Sequence, residues 1–466
     1  MAGRDNVRAV VSVPEPSMPI LRCPACQRGN VAVCAEACAC DACAQTFPLI
    51  DGIPWLHPDP AATLSEWRLR LHWLLAELRS EAALTRHELE RSDLRVVVRN
   101  RLKLQAAACD DHARRLAALM APLGVDDLAV GNEWHRALGT RAPRGAGISA
   151  YYVNLHRDWV WGRAETDAMV GQVMTALGDH RAGRVLVLGA GAGRLVYDLA
   201  LRATVDTLVA LDVNPLLAIV GRRVMKGERV SLYEFPLAPV DADSFAILRT
   251  LAAQQSLPCP VHWVLADACA APFPAASFDT VITPWLIDVV DDELAAFATR
   301  INALLRSGGR WINTGSLVFA HPERAARYTL DEVVTLVGDA GFQTPDVAEA
   351  RVPYMCSPAS RHGRVESVVS FGATKQRDVA VAARRRGPEW LERHELPVPA
   401  LPQFQSDALT MRIYGYLATL IDGRRSIRDI AQELVRERLL TADAAEPAVH
   451  GFMARLQADA QQRLRF

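Results

Sequence analysis

Ten cysteines are present, and six of them lie between positions 23 and 43. CPAC and CDAC in this stretch are two C-x2-C pairs with thirteen residues between them. Such spacing lets two tight turns offer four thiolates to one tetrahedral Zn²⁺, with no coordination position left for water. We therefore predict a structural zinc site. Its ligands are Cys23, Cys26, Cys40 and Cys43.

Two extra cysteines, Cys34 and Cys38, leave one alternative open, in which the second turn starts at Cys38. We favour the pair at 40 and 43 because it has the turn spacing and a strand-like segment follows it. The stretch from LRCPAC to CDAC and FPLIDGIPWL resembles the zinc ribbon named after the activator subunit of tRNA and protein methyltransferases. The resemblance implies a small metal-braced module at residues 21–58.

A glycine-rich loop follows an apolar strand in RVLVLGAGAGRLVYDLA, residues 184–200. Gly189, Gly191 and Gly193 let the backbone turn sharply and approach a ligand, and the next helix offers free N–H groups at its start. Arg194 and Val196 follow, so the loop departs from the G-x-G-x-x-G pattern of dinucleotide sites. We expect a nucleoside cofactor without a pyrophosphate.

Polar groups stand at the ends of the next strands. Asp212 closes TLVALD, where it is placed to accept hydrogen bonds from both ribose hydroxyls of an adenosine. In LADACAAPFP, Asp267 is placed to receive an adenine amino group and Ala268 to supply a backbone N–H. FDTVITPWLIDVV puts Pro284 to Asp288 at the carboxyl edge, where open α/β sheets hold their substrates. The alternative role for the three acids is helix capping.

The elements that must position these residues follow from the pattern of apolar residues. Beyond Arg181, short apolar runs alternate with helical stretches, which predicts a doubly wound α/β sheet with parallel strands. Before it, the text from Leu64 to about Leu123 predicts a helical hairpin or bundle, opened by a capping box of Thr63 and Glu66. After Lys375 a proline-rich connector leads to helical text.

Together, the glycine loop and the strand ends resemble a class I S-adenosylmethionine-dependent methyltransferase, over about residues 150–375. LLRSGGRWINTG is similar to that family's turn before a late strand. The resemblance implies an α/β fold with a Rossmann-like, seven-stranded core and S-adenosylmethionine as cofactor. The residues that it assigns to the cofactor are Gly189, Gly191, Gly193, Arg194, Asp212, Asp267, Ala268 and Pro284.

One branch of that family fits more closely. YYVNLHRDWVWGRAETD, WLIDVV, GGRWINTGSLVFAHPE and RYTLDEVVTLVGDAGF resemble the carnosine N-methyltransferase family, which methylates an imidazole nitrogen of a histidine-containing peptide. The resemblance implies that Asp288 contacts the imidazole and that His321, one place from the family's histidine, orients substrate or takes a proton. Tyr354 is the aromatic residue near the family's later tyrosines.

The sequence departs from that family where it carries its late aromatic residues. Arg364 and Val365 stand at those positions. Arg361 with Arg364 would suit an acidic or carboxylate-bearing substrate, and ordinary surface arginines are the alternative interpretation.

The C-terminal text IDGRRSIRDIAQELVRERLLTADAAEPAVHGFMARL resembles small helical, winged-helix-like domains of the pyrroloquinoline-quinone synthesis protein D type. The resemblance implies a peptide partner, such as the leader of a precursor. The alternative is a helix pair that simply packs on the catalytic domain. The predicted domains are a mobile N-terminus (1–20), the ribbon (21–58), a helical region (59–148), the methyltransferase domain (149–378), a linker (379–405) and a helical domain (406–466).

Charge and hydropathy limit the partners. Lys and Arg total 52 against 53 Asp and Glu, so no net positive field favours general nucleic-acid binding. No run of about 18 apolar residues occurs, and the N-terminal text lacks the apolar core of an export signal. We expect a soluble, cytoplasmic protein without a membrane partner.

These observations predict an enzyme that transfers a methyl group from S-adenosylmethionine to an imidazole-type nitrogen of a small peptide, an amino-acid derivative or a peptide side chain. One alternative is methylation of an oxygen or carboxylate in a natural-product or ribosomal-peptide precursor. An alternative of another class is a non-catalytic zinc-ribbon interaction protein that uses a methyltransferase fold as a scaffold.

Overall fold

The computed structural model describes residues 19–34, 37–124, 149, 151–290, 292–320, 324–382, 390, 393 and 395–462. Of the expected mobile N-terminus, only residues 19 and 20 fall within these ranges. The chain divides into two compact units, residues 1–384 and 385–466.

The N-terminal cysteine module is a small antiparallel sheet of five short strands in sequential order. Its buried side chains, which include Leu21, Val31 and Phe47, share an apolar core with the central sheet. The strands are β1 (Leu21–Arg22), β2 (Asn30–Val33), β3 (Ala37–Cys40), β4 (Thr46–Ile50) and β5 (Ile53–Pro54).

A helical hairpin follows, made by α1 (Pro60–Glu88) and α2 (Val96–Leu119). The prediction of its first turn was wrong by about one turn. Asp59 caps α1, because its side chain accepts a hydrogen bond from the backbone N–H of Ala62. Thr63 lies inside the helix, where its hydroxyl donates to the carbonyl of Asp59. A proline at the first helical position favours this earlier start, since its fixed φ suits a helix and no N–H is lost.

The central domain alternates strands with helices as predicted. Its strands are β6 (Gly183–Leu188), β7 (Val205–Asp212), β8 (Val230–Glu234), β9 (Ile247–Leu251), β10 (Val261–Leu265), β11 (Phe278–Pro284), β12 (Leu305–Gly315), β13 (Asp346–Tyr354) and β14 (Arg364–Thr374). Its helices are α3 (Tyr152–His156), α4 (Arg163–Leu177), α5 (Arg194–Arg202), α6 (Pro215–Met225), α7 (Leu294–Leu304) and α8 (Leu330–Asp339), with a π-helical turn at Arg157–Trp161.

Seven of these strands form one twisted sheet in the order β10-β7-β6-β11-β12-β14-β13. The first five run parallel, whereas β14 is antiparallel to both of its neighbours. The chain order reverses between β6 and β11. In open α/β sheets this switch point, at the carboxyl ends of the strands, is where ligands bind.

Both faces of the sheet are buried. In β6, Val185 and Val187 belong to one apolar core and Leu186 and Leu188 to the other. Alternate residues of a strand point to opposite faces, so an uninterrupted apolar run fills two layers at once. The sheet is therefore covered by helices on both sides and is open to ligands only along its edges.

The insertion before β10 contains two strands that the sequence analysis did not predict. β8 and β9 pair antiparallel as a separate two-stranded sheet. It contacts the hairpin and α3, and the Tyr152 hydroxyl donates to the carbonyl of Tyr233 in β8 over 2.6 Å.

The C-terminal unit contains α9 (Pro402–Thr419), α10 (Ile427–Arg436) and α11 (Ala442–Gln462). α10 begins with a capping box of Ser426 and Asp429. Between residues 395 and 462, no strand accompanies the helices, so the described part of the unit has no wing. Within the described ranges, no helix combines the length and apolar character that a membrane-spanning segment needs.

Candidate functional site

The four predicted metal ligands lie together. The sulfur atoms of Cys23, Cys26, Cys40 and Cys43 are all within 4.8 Å of one another. Cys23 and Cys43 are 3.7 Å apart at sulfur, and so are Cys26 and Cys40. Four sulfurs at a Zn–S distance of about 2.3 Å around a tetrahedral ion are spaced by about 3.8 Å. The cluster therefore fits one structural zinc ion with four protein ligands.

The backbone of the two turns is suited to thiolate ligands. Gln27 and Ala44, each directly after the second cysteine of its pair, have left-handed φ values of 57° and 56°. The backbone N–H groups of Gly29 and Arg28 lower the pKa of Cys26 to about 6, which favours the thiolate, whereas the pKa of Cys23, raised by burial, and that of Cys43 lie above the ordinary value. Matching turns at both pairs indicate that the backbone is shaped for a shared ligand.

The two extra cysteines lie outside this cluster. Cys34 is exposed, and Cys38 is buried in the apolar core that the ribbon shares with the sheet. Burial raises the pKa of the Cys38 thiol to about 11, with the Cys34 charge adding to the shift. Cys38 therefore behaves as a core side chain, and the alternative second turn is not supported.

The glycine loop has a backbone conformation that residues with side chains rarely adopt. Gly189, Gly191 and Gly193 all have positive φ, at 69°, 58° and 84°. A Cβ at Gly193 would stand 2.5 Å from Met225, whereas one at Gly191 would meet nothing within 4 Å. Gly193 thus permits close packing of the loop on its own domain, and Gly191 borders open space at the switch point. That open space is suited to a ligand.

Asp212, at the end of β7, is buried and faces this loop. Its Oδ2 accepts a hydrogen bond from the Gly191 N–H over 2.6 Å, and its Oδ1 accepts from the Asn214 N–H over 2.8 Å. Burial raises the pKa of Asp212, while these backbone N–H groups oppose the shift. Each carboxylate oxygen has two acceptor positions, so further donors such as ribose hydroxyls can still bind.

Arg194 is held inside the protein. Its guanidinium bonds Asp198 at 2.9 Å and donates to the carbonyl of Asp158 at 3.0 Å. The ring N–H of Trp159 donates to the carbonyl of Ala192 over 3.0 Å. These hydrogen bonds attach the π-helical turn to the glycine loop and to the start of α5, so that the turn clamps the loop. The Arg194 side chain takes part in this clamp through its bonds within the protein.

Asp267 and Ala268 follow β10 at the same sheet edge. Asp267 caps a short 3-10 helix that starts at Ala268, since its Oδ1 accepts from the Cys269 N–H over 2.9 Å. The capping alternative is therefore realised for this acid. The cap fixes one carboxylate oxygen and orients the other acceptor positions of the group.

Pro284 ends β11 and stands level with Thr314 of β12. Four residues later, Asp288 is half-buried, and its Oδ2 accepts from the Ser316 hydroxyl at 3.1 Å and the Val318 N–H at 2.8 Å. No described residue donates a hydrogen bond to the other oxygen, Oδ1. Asp288 therefore ties the loop after β12 to β11 and keeps one acceptor oxygen for another group. His321 lies outside the described residues.

An aromatic pair includes the residue directly after β11, three positions before Asp288. Trp285, which the sequence analysis did not select, has a left-handed φ of 49° and packs its ring 4.8 Å from that of Tyr354. The guanidinium of Arg364 lies 4.7 Å from the Tyr354 ring. Only the sharp turn after β11 turns Trp285 towards β13, and no periodicity in the sequence indicates that turn.

Tyr151 is a second residue that the sequence analysis did not assign to the site. It is 53% exposed, has a left-handed φ of 63° and precedes α3. Burial raises the pKa of its hydroxyl, and the charges of Asp288 and Asp212 add to that shift. Tyr151 thus lies within electrostatic reach of both Asp212 and Asp288. A strained tyrosine at this place is typical of a ligand-facing residue.

A buried ion-pair network connects the segment that clamps the glycine loop with the end of β13. Arg157 in the π-helical turn bonds Asp158 at 2.7 Å and Glu165 at 3.1 Å. The second oxygen of Glu165 accepts from the Met355 N–H over 2.9 Å, next to Tyr354. The segment that clamps the glycine loop therefore also fixes the strand end that carries Tyr354.

Comparison with known proteins supports the fold. Residues 186–313 match the family model described as "Methyltransferase domain". No curated protein matches the chain. Several solved methyltransferase structures are similar to about half of the chain at 12–18% identity.

Three of them illustrate the extent of the likeness. The N-methyltransferase NodS from Bradyrhizobium japonicum is 12% identical, with a TM-score of 0.32 over 47% of this chain and 99% of its own. A SAM-dependent methyltransferase from Thermotoga maritima is 18% identical, with a TM-score of 0.30 over 49% and 98%. Phosphoethanolamine N-methyltransferase 2 from Haemonchus contortus is 14% identical, with a TM-score of 0.31 over 50% and 61%. Structural likeness at this level assigns no residue role and no substrate. The family match shows that residues 186–313 have the fold of an S-adenosylmethionine-dependent methyltransferase.

Proposed function

We propose that this chain is an S-adenosylmethionine-dependent N-methyltransferase. Its acceptor is an imidazole-type nitrogen of a small peptide, an amino-acid derivative or a peptide side chain. The observation that carries the proposal is the pairing of Gly191 with Asp212 beside open space, next to an aromatic pair and a carboxylate with one available oxygen.

The cofactor half rests on groups that suit an adenosine. Gly191 leaves room where a Cβ would stand, and Asp212 offers acceptor positions to ribose hydroxyls. We assign the adenine amino group to Asp267, whose Oδ1 accepts from the Cys269 N–H. These residues fit S-adenosylmethionine, which has no pyrophosphate. None of them has a positively charged side chain that a pyrophosphate would need.

The acceptor half rests on two aromatic rings and a carboxylate at one edge of the sheet. The rings belong to Trp285 and Tyr354, and a planar ligand ring packs well against aromatic faces. Asp288 keeps Oδ1 for an N–H while its Oδ2 is fixed by Ser316 and Val318. An imidazole offers both a flat ring and one N–H, with its second nitrogen carrying the lone pair.

The chemistry requires positioning above all. S-adenosylmethionine, when bound, supplies a methyl group on a sulfonium, which the ring nitrogen takes with its lone pair as the carbon–sulfur bond breaks. Asp288 holds the opposite N–H, so that the attacking nitrogen stays unprotonated and aligned. The Asp288 carboxylate can receive the proton that the methylated, cationic ring then releases. Trp285 and Tyr354 exclude water from one side of the ring.

The two arginines that would suit a carboxylate substrate already have partners. Arg361 donates to the carbonyl of Val240 over 2.8 Å. Arg364 is paired with Glu366 and lies over the Tyr354 ring. Their charges are therefore partly used within the chain, which leaves less of them for a carboxylate group of the substrate.

We propose two auxiliary parts. The four cysteines hold a structural zinc, supported by their spacing. The C-terminal unit binds a peptide, supported by exposed apolar side chains on α9. Replacement of Leu409 and Tyr414 by Asp should then impair methylation of a leader-bearing peptide while methylation of a free small acceptor continues. Equal rates on both acceptors in that variant would contradict the peptide role.

The experiment that tests the function uses label transfer. Protein is incubated with deuteromethyl-labelled S-adenosylmethionine and an extract of metabolites and peptides, and the products are analysed by mass spectrometry. We expect a product labelled on an imidazole nitrogen, absent with the Asp212→Ala variant. Label on an oxygen or a carboxylate would contradict the acceptor class, and the absence of both label and cofactor binding would leave the scaffold alternative.

A further inference from the structure

The strand that leaves the ribbon extends the central sheet. Trp55, directly after β5, forms a parallel bridge with Leu265 at the end of β10. The backbone N–H of Leu56 donates to the carbonyl of Leu265 over 2.8 Å. In parallel pairs the carboxyl ends lie at the same edge of the sheet. The residues after Leu56 are therefore delivered to the edge that carries the candidate cofactor site.

His57 and Asp267 each follow this bridge by two residues. The bridge between Trp55 and Leu265 and the hydrogen bond from Leu56 bring both following segments to the same edge of the sheet. His57 is only 4% exposed, and its Nε2 has no hydrogen-bond partner among the described residues. Burial lowers its pKa to about 4, with the Asp267 charge opposing the shift. A neutral, buried imidazole thus lies within the field of Asp267.

The ribbon also holds the far end of the loop that carries Asp267. The backbone N–H of Arg22 donates to the carbonyl of Pro272 over 2.9 Å. Leu21 and Phe47 of the ribbon share one apolar core with Cys269 and Phe273. The loop at 266–272 is consequently fixed at its start by Leu56 and at its end by the residue next to Cys23.

We infer that the ribbon is part of the cofactor site: it fixes the loop at 266–272, and His57 positions Asp267 to receive the adenine amino group. The inference rests on the proposed function. Asp267 is a group that touches the cofactor, whereas His57 is a positioning residue that acts through it. This assigns the N-terminal module a role in adenine recognition, beyond holding its own fold with a metal.

The test compares two ligands that differ at the atoms Asp267 would read. S-adenosylhomocysteine carries the adenine amino group, and S-inosylhomocysteine has a carbonyl at that position. Full-length protein with its metal is titrated with each ligand by calorimetry. We expect His57→Ala to weaken S-adenosylhomocysteine binding by roughly tenfold, because Asp267 would then be poorly oriented for its hydrogen bond from the adenine amino group. The weak binding of the inosyl ligand should stay unchanged.

Two variants separate positioning from general damage. His57→Gln keeps a polar group of similar reach and should retain most of the preference for the adenosyl ligand. His180→Ala, at an exposed histidine elsewhere in the domain, should leave both affinities unchanged. Equal loss of both ligands in His57→Ala, or no loss of either, would overturn the inference while leaving the proposed function intact. A wild-type protein that binds neither ligand would overturn the proposed function, and this inference with it.

Discussion

The backbone N–H of Gly191 donates to Oδ2 of Asp212 over 2.6 Å. This bond joins the loop after β6 to the end of β7, so the position of the loop and the orientation of the carboxylate fix each other. Asn214 holds the other oxygen and also caps α6. Both oxygens are oriented before any ligand arrives, and such preorganisation reduces the cost of binding.

Replacement of Asp288 by Ala should separate methyl transfer from cofactor binding. Because the carboxylate holds the acceptor and the cofactor lies on other residues, we expect kcat to fall by about 100-fold or more. The Kd for S-adenosylhomocysteine should change less than about twofold. Kinetics with the acceptor found by label transfer, together with calorimetry, measure both. Ser316→Ala, which removes one of two donors to Oδ2, should cost only a few-fold, and parallel loss of binding and kcat in Asp288→Ala would remove Asp288 from this role.

Tyr151 should matter to both halves of the site. It lies in reach of Asp212 and Asp288, so we expect Tyr151→Ala to weaken S-adenosylhomocysteine binding by about threefold to tenfold and to slow transfer further. Tyr151→Phe keeps the ring and should preserve binding better. Leu84→Ala, at an exposed position of α1, serves as the control. If Tyr151→Ala behaves as wild type in calorimetry and kinetics, the residue does not face the ligands.

Metal analysis should find about one zinc per chain. Cys23 and Cys26 replaced together by Ser should lose it, because two thiolates cannot complete a tetrahedral site. The matched control is Cys34→Ser at an exposed cysteine outside the cluster, which should keep full metal content. Full metal content in the double variant would refute the assigned ligands.

Stability should fall as the pH is lowered below about 6.5. Burial lowers the pKa of His57 and His156 to about 4 and that of His112 to about 3, from 6.5 when exposed. Between these values the unfolded chain binds protons that the folded chain does not, so the stability present above pH 6.5 is lost as the pH falls towards 4. The free energy of unfolding from urea titrations at several pH values measures this.

His112 offers a variant for that experiment. Burial is the largest cause of the lowered pKa of His112. The charges of His156 and Arg115 lower this pKa further, and that of Asp111 raises it. Its ring packs edge-on against Tyr152 and Phe235. His112→Phe should keep this packing and flatten the pH dependence, and an unchanged slope would show that His112 titrates normally.

The sheet and the cysteine site were predictable because their signals are local. Short apolar runs predicted β6, β7, β10, β11 and β12, and the spacing of CPAC and CDAC predicted four clustered thiols. The β8–β9 hairpin escaped prediction because VSLYE and ILRTL are short and mix polar with apolar residues. The start of α1 was misplaced because Asp59 competes with Thr63 for the cap, and both types are good caps.

The parts of the site that could not be predicted depend on tertiary pairing. Trp285 and Tyr354 meet because β13 returns beside β14 and because the turn after β11 has a left-handed residue. Trp55 meets Leu265 through a bridge between segments far apart in the chain. Neither relation leaves a periodic or spacing signal, since the partners are not linked by local geometry.

The most direct test of the account is a calorimetric titration of full-length protein with S-adenosylhomocysteine, wild type against Asp212→Ala. Without the carboxylate, the ribose hydroxyls lose their acceptor and the N–H of Gly191 loses its partner. The account predicts a one-to-one complex with the wild type and a loss of affinity of about 100-fold in the variant, measured where the variant is still folded. No binding by the wild type, or equal affinity in the two proteins, would contradict it.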